Sequence, residues 1–192
     1  FLPSLPNTGV TFVRVDLPNR PRLPATCEHA VTRFRRTCLS KDGADVDTVE
    51  HLLSAIHGCG IDNLEIELDA SEVPNGDGSS LPFVQLLRGA GIVEQPEPRK
   101  SHVIREPIAV SEGDAKIVAL PDENGLPISY TMNYPGTPLG QQHYTVELND
   151  DSYQRLISPA RTFCLEAEAE ALIAQGLGKG ATYQNTVVMG KD

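Results

Sequence analysis

Between Asn63 and Asp69 apolar and acidic residues alternate almost perfectly, with Leu64, Ile66 and Leu68 on one side and Glu65, Glu67 and Asp69 on the other. A period of two with one polar side predicts a sheet strand with one wet face. Val10 to Asp16 has a similar pattern (Val10, Phe12, Val13, Val15), bounded by Asn7-Thr8-Gly9 and Pro18-Asn19, and reads as a second strand. The proline-rich run to Pro24 predicts an irregular connection. Arg33 to Leu39 reads as one strand, closed by the turn residues Lys41-Asp42-Gly43. Between these segments the period changes. Val49, Leu52, Leu53 and Ile56 stand at i, i+3, i+4 and i+7, the stripe of a helix that buries one face. Asp47 or Thr48 suits its N-cap, and Gly58 and Gly60 suit its exit.

Val73-Pro74-Asn75-Gly76-Asp77-Gly78-Ser79 is turn chemistry leading into a second helix. Ser79 or Ser80 is expected to cap it, with Pro82 in the first turn, Phe83, Leu86, Leu87 and Ala90 on one face, and Gly91 beyond the end. Glu94 to Lys100, with two prolines, reads as a linker. Strand patterns then resume at His102 to Val110, Ala115 to Leu120, Ile128 to Tyr134 and His143 to Leu148. A short helix capped by Asp150 or Asp151 is expected through Ile157. It is followed by a strand over Arg161 to Leu165, a helix over Glu166 to Gln175 with a Leu165, Ala169, Leu172, Ile173 face, and a last strand over Gln184 to Met189. The expected class is α+β: two related units of sheet plus two helices facing one another, residues 1-95 and 101-192, the second incomplete in this chain.

The composition of the 192 residues, 40% hydrophobic and 22% charged, is that of an ordinary globular protein. A net charge of -10 argues against a nucleic-acid partner and against general attraction to anionic membranes. No apolar run approaches a membrane span and no signal segment opens the chain, so stable membrane insertion is not expected and a cytoplasmic location is. Cys27, Cys38, Cys59 and Cys164 are widely spaced with no C-x-x-C pair, which for most of them suits small buried hydrophobes better than a zinc knuckle or a disulfide framework. A start at Phe1 and an abrupt end at Asp192 read as a fragment.

Glu50 and His51 lie off the apolar stripe, in the first turn of the expected helix. There the helix dipole favours a charged carboxylate and a neutral imidazole. Such a pair could bind a metal through His51 and take a proton through Glu50, or Glu50 could be only a capping-box residue and His51 a rim residue. His29, His57, His102 and His143 form no ligand spacing, and a catalytic zinc typically takes three protein ligands. Either His51 is not a ligand, or its partners are outside this chain. Thr162, in Arg161-Thr162-Phe163, could be a strand start or a hydroxyl that steadies an oxyanion. Gly176 to Thr182 is glycine-rich, but it lacks the spacing and the strand-then-helix context of a phosphate loop, so a helix exit is expected.

Several stretches, in order and together specific, resemble the UDP-3-O-acyl-N-acetylglucosamine deacetylase family, zinc amidohydrolases of lipid A synthesis. They are Thr48-Val49-Glu50-His51-Leu52-Leu53-Ser54-Ala55, Gly60-Ile61-Asp62-Asn63-Leu64, Glu72-Val73-Pro74 with Asp77-Gly78-Ser79, Ala160-Arg161-Thr162-Phe163-Cys164, and Gly176-Leu177-Gly178-Lys179-Gly180 through Asn185. The resemblance implies that Glu50 is the general base, His51 the first Zn2+ ligand and Thr162 the oxyanion donor. Phe163 would shape the substrate site, and Leu165, Leu172, Ile173 and Leu177 would line a passage for the acyl chain. The substrate implied is a UDP-linked acylated amino sugar, and the products are acetate and the free amine. The family's His-Lys-x-x-Asp-x-x-Gly-Asp helix, with two further zinc ligands, and its later catalytic histidine have no counterpart in these 192 residues. The chain alone is therefore expected to hold half an active site and to be inactive. Two alternatives stand beside the enzyme: a non-catalytic binding fragment of the same fold, and the deacetylase half of a fusion with a hydroxyacyl dehydratase.

Overall fold

The computed structural model describes residues 1–174 and 180–190, without the side chain of Leu172. It is a mixed α+β structure, as expected. Four strands form the first sheet in the order β1 (Leu2–Pro3), β7 (Leu64–Leu68), β2 (Val10–Arg14), β3 (Arg22–Pro24). β2 and β7 run parallel while β1 and β3 are antiparallel to their neighbours. β4 (Ala30–Arg33), β5 (Arg36–Lys41) and β6 (Ala44–Asp47) make an antiparallel meander. Helices α1 (Glu50–Gly58) and α2 (Leu81–Ala90) pack on each other and on this framework. Their buried Leu52, Ala55, Ile56, Phe83, Val84 and Leu87 join Phe12, Leu23, Leu39, Val46, Leu64 and Ile66 in one core. The period-two and helical stripes thus meet in a single apolar interior.

The polar edge of this core is closed by ion pairs. Arg14, buried at the end of β2, is held by both oxygens of Asp16 at 2.8 and 2.7 Å and donates to the Asp45 carbonyl at 2.6 Å. Asp45 also accepts from Arg33, and Asp47 from Arg36.

Beyond α2 lie two antiparallel hairpins, β8 (Ile108–Glu112) with β9 (Ala115–Ala119), and β10 (Pro127–Tyr134) with β11 (Gly140–Glu147). The register of the second aligns Ile128 with Val146 and Tyr130 with Tyr144 on one face, and Ser129 with Thr145 and Thr131 with His143 on the other. A short helix α3 (Asp150–Ser152) continues into a π-turn, Tyr153–Ile157. Buried Tyr153 packs against Gly58 of α1, and its hydroxyl shares a hydrogen bond with Ser54 at 2.9 Å. β12 (Phe163–Leu165) pairs in parallel with β13 (Val187–Met189), with α4 (Glu166–Ala174) between them.

Several local expectations need correction. Arg33 to Leu39 is not one strand: the chain reverses at Phe34-Arg35, with Arg33 opposite Arg36. Arg35 takes a left-handed φ of 60°, a conformation that no glycine or asparagine announces there. The proline-rich run includes β3, whose Leu23 is fully buried; it forms at the sheet edge, where a proline is tolerated. Leu86 is 60% exposed and Val84 takes the core position in its place. Asn149, not Asp150 or Asp151, caps α3, through a reciprocal bond pair with Ser152. Ser80 occupies the N-cap position of α2 without a side-chain bond; the Ser79 hydroxyl serves the Leu81 amide instead, at 3.2 Å. Gly176 to Lys179, with Leu177, lie outside the described residues.

Candidate functional site

The approach to α1 carries strain. Thr48, a β-branched residue, has a φ of 59°, which costs on the order of 1–3 kcal/mol. It is pinned from both sides. Its amide donates to the Thr37 carbonyl at 3.0 Å, and its hydroxyl donates to Glu72 Oε1 at 2.9 Å. The Asp47 amide just before it bonds the Ser71 carbonyl at 2.7 Å, and the Val73 amide returns to the Asp47 carbonyl at 3.1 Å. This turns the chain off β6 directly into the helix, so that Glu50 and His51 open α1 side by side, both partly buried.

Neither Asp47 nor Thr48 caps α1, and Glu50 does not close a capping box. The helix begins after Val49 with no side-chain cap bond. The polar side chains are drawn to tertiary partners: Asp47 to Arg36, Thr48 to Glu72, and Glu50 to β5. Glu50 Oε2 accepts from the Thr37 amide at 3.2 Å, while the Thr37 carbonyl accepts from Thr48 and Val49. One residue of β5 therefore holds both the helix start and the carboxylate. Thr37 had no signal in the sequence, because its contribution is its backbone.

Thr162, on the surface just before β12, is held from two directions. Its amide donates to the Gly78 carbonyl at 2.8 Å and its carbonyl accepts from Val187 at 3.0 Å. Gly78, with a φ of 82°, is the last residue of the Asn75-Gly76-Asp77-Gly78 turn and is pressed against the Asn185 carbonyl, where a Cβ would collide with backbone. Buried Asn185 braces its own loop: Oδ1 accepts from the Thr182 amide at 2.7 Å and Nδ2 donates to the Gly180 carbonyl at 2.8 Å. Three stretches far apart in sequence, around Gly78, Thr162 and Asn185, therefore form one junction.

Phe163 follows Thr162. Its ring meets Tyr134 edge-on, with centroids 5.8 Å apart, and the Arg35 guanidinium stands 5.3 Å from its centroid. Arg35 donates to the Phe163 carbonyl at 2.6 Å and lies 3.6 Å from Glu168. Neither Arg35 nor Tyr134 stood out in the sequence, since a lone cation in a basic run and a strand tyrosine carry no distinctive spacing. Of the residues expected to line an acyl passage, Ile173 is 71% exposed, Leu165 is partly buried at the end of β12, and the side chain of Leu172 lies outside the described residues. The solvent exposure of Ile173 follows from the sparse packing of α4, whose acidic and alanine residues present little continuous apolar face.

As to metal, His51 offers one imidazole beside a carboxylate. Among the described residues no group of three or more His, Cys, Asp or Glu side chains could hold a metal ion. Burial pushes the Cys38 thiol up to about 11, with Asp47 adding to the shift, so this cysteine is a poor ligand or nucleophile as it stands. No described helix is long and apolar enough to cross a membrane.

The family model described as UDP-3-O-acyl N-acetylglycosamine deacetylase, LpxC, matches residues 1–192. The chain belongs to the LpxC family. It is 39% identical over 189 residues to a UDP-3-O-acyl-N-acetylglucosamine deacetylase of Bdellovibrio bacteriovorus, covering 98% of this chain and 62% of that protein. A protein of the same name from Myxococcus xanthus is 39% identical over 187 residues, covering 97% and 59%. A "Bifunctional enzyme LpxC/FabZ" of Chlorobaculum tepidum is 41% identical over 191 residues, 98% of this chain and 41% of that protein. The chain thus spans about three-fifths of the length of the Bdellovibrio and Myxococcus relatives.

Proposed function

We propose that the protein carrying this chain is a zinc-dependent hydrolase. It would cleave the acetamide of UDP-3-O-acyl-N-acetylglucosamine to acetate and the free amine, a step of lipid A synthesis in the cytoplasm. The observation that carries this reading is the Glu50-His51 pair at the start of α1 in a chain of the LpxC family, with the Glu50 carboxylate anchored on the Thr37 amide. The anchor engages one carboxylate oxygen and orients the group. Glu50 takes the proton from the attacking water as general base. The Thr162 hydroxyl donates to the oxygen on which negative charge develops. Phe163 packs against the substrate beside it.

His51 fits one corner of a zinc site by its chemistry: a partly buried imidazole in the first turn of α1, beside the Glu50 carboxylate. In this reading the remaining donors come from outside these 192 residues. When bound, zinc supplies Lewis-acid polarisation of the carbonyl and acidifies water.

The test uses the full-length protein, assayed for acetate release from the UDP-linked substrate. Glu50→Gln is expected to lower kcat by about 10²–10⁴-fold, the usual contribution of a general base, with zinc content unchanged. An active Glu50→Gln enzyme would overturn the role of Glu50. Thr162→Ala is expected to cost about 10²–10³-fold in kcat, the scale of one oxyanion donor. A second reading, favoured by the Chlorobaculum relative named as bifunctional, makes this chain the deacetylase part of a two-enzyme fusion. The mass of the intact gene product decides between them.

A further inference from the structure

We propose that Arg35 is a positioning residue that ties the helix start bearing Glu50 and His51 to the strand start bearing Thr162 and Phe163. The inference rests on the function proposed above and adds a residue to it.

The argument begins at the β4–β5 turn. Its two loop residues behave oppositely: Phe34, the apolar one, is 63% exposed, whereas the Arg35 side chain is only 26% exposed. The left-handed backbone of Arg35 throws its side chain off the end of the hairpin toward β12. There the guanidinium meets four groups at once. It donates to the Phe163 carbonyl at 2.6 Å, stands over the Phe163 ring, lies 3.6 Å from Glu168, and donates to the Tyr134 hydroxyl at 3.4 Å. A planar fork can bond in its plane and stack on its face at the same time, which a lysine ammonium cannot do. Glu168 is itself fixed, since Oε2 accepts from the Leu165 amide at 2.9 Å at the start of α4.

The other end of the linkage is two residues along the chain. The Thr37 amide holds Glu50, and the Thr37 carbonyl holds Thr48 and Val49. At most roughly 7 Å of backbone therefore separates the anchor of the candidate base from the anchor of the strand that carries the candidate oxyanion donor. Thr162 is pinned from its other side by Gly78. The Thr162 carbonyl also accepts from Val187, so what Arg35 adds is the tie between this strand start and β5; without it the Gly78 and Val187 bonds remain but the link to the Thr37 anchor is lost. A partly exposed ion pair adds little to global stability, so the consequence falls on geometry. A misplacement of about 1 Å between groups that act together can cost about 10²-fold in rate.

The experiment compares wild type, Arg35→Met and Arg35→Lys in the full-length protein by three readouts: kcat and KM for acetate release, Tm, and hydrogen exchange of peptides covering 160–166. Arg35→Met is expected to lower kcat by about 10–10²-fold. KM and Tm should be little changed, and exchange in that segment should rise. Arg35→Lys keeps the charge without the stack and should fall between the two in kcat. The proposal is overturned by wild-type exchange or wild-type kcat in Arg35→Met, or by a rise in KM alone. If Arg35→Met lowers Tm by more than a few degrees, Arg35→Lys decides: reduced kcat at wild-type Tm supports the role, and wild-type kcat overturns it. Glu50→Gln in the same assay separates the two readings. Loss of turnover in Glu50→Gln with wild-type kcat in Arg35→Met removes only the role of Arg35, whereas an active Glu50→Gln removes the mechanism beneath it.

Discussion

Replacing Gly78 by alanine introduces a Cβ onto the carbonyl of Asn185, at a residue whose φ of 82° already suits glycine alone. Two costs add. The left-handed backbone costs an L-residue about 1–2 kcal/mol. The collision is with backbone, not the end of a flexible side chain, so the Gly78 and Asn185 segments must separate. That movement weakens the hydrogen bond from the Thr162 amide to the Gly78 carbonyl, worth about 0.5–1.5 kcal/mol. Gly43→Ala provides the control: its φ of 77° is similar, but nothing lies within 4 Å of the added Cβ. The entropy lost by the unfolded chain on Gly→Ala is common to both variants and cancels. The difference between them therefore reports the junction, and is expected to be about 1–2 kcal/mol in urea unfolding of the full-length protein, from the lost bond and the imperfect repacking around it. Acetate release should fall in Gly78→Ala and hold in Gly43→Ala, because only the former moves Thr162. Equal stabilities and equal activities for the two variants would refute the reasoning.

Tyr153→Phe removes the hydroxyl bonded to Ser54 while keeping the ring against α1, and should lower stability by about 0.5–1.5 kcal/mol in thermal unfolding, with acetate release unchanged. Cys38, fully buried with its thiol pushed up to about 11, should resist iodoacetamide in the native protein at neutral pH while exposed Cys27 is alkylated, as read by mass spectrometry of the digested protein. The carboxyl of Asp45 is held below its ordinary range, first by the Ser40 hydroxyl and then by Arg33, against the opposing effect of burial. A depressed folded pKa means that this stabilisation is present above the unfolded value of about 3.9 and is lost as pH falls through the folded one. Asp45→Asn should thus lower the urea midpoint at neutral pH and flatten its decline below about pH 4.

The parts of the fold legible in the sequence are those set by side-chain period and by glycine. The alternation of β7, the stripe of α1, and the Asp42-Gly43 turn, with φ of 51° and 77°, all stand where their residues place them. What is not legible there is set by partners distant in the sequence. Phe34-Arg35 turns without a turn residue because the pairings on both sides, Arg33 with Arg36 and Thr32 with Thr37, over-determine it. Nor is the departure of Asp47, Thr48 and Glu50 from N-cap chemistry legible: each has a tertiary partner better placed than the helix amides, the Arg36 and Glu72 side chains and the Thr37 amide.

The candidate site divides along the same line. Glu50, His51 and Thr162 can be nominated from the sequence because the chemistry proposed for them resides in their side chains, and a residue letter records a side chain. What orients them is largely main chain: the amide and carbonyl of Thr37, the carbonyl of Gly78, the amide of Val187 and the carbonyl of Phe163. Any residue but proline supplies an amide, so identity at these positions is a weak signal. Gly78 is legible only because its main chain must approach Asn185 too closely for a side chain. Arg35 is the exception that shows the limit of reading letters. Its side chain is what matters, yet it is one cation in the run Arg33-Phe34-Arg35-Arg36, and its neighbours at 33 and 36 are committed to Asp45 and Asp47 on their own sheet. Only the left-handed turn separates the arginine that reaches β12 from the two that stay home, and a backbone angle of that kind is decided by the pairing of the whole meander.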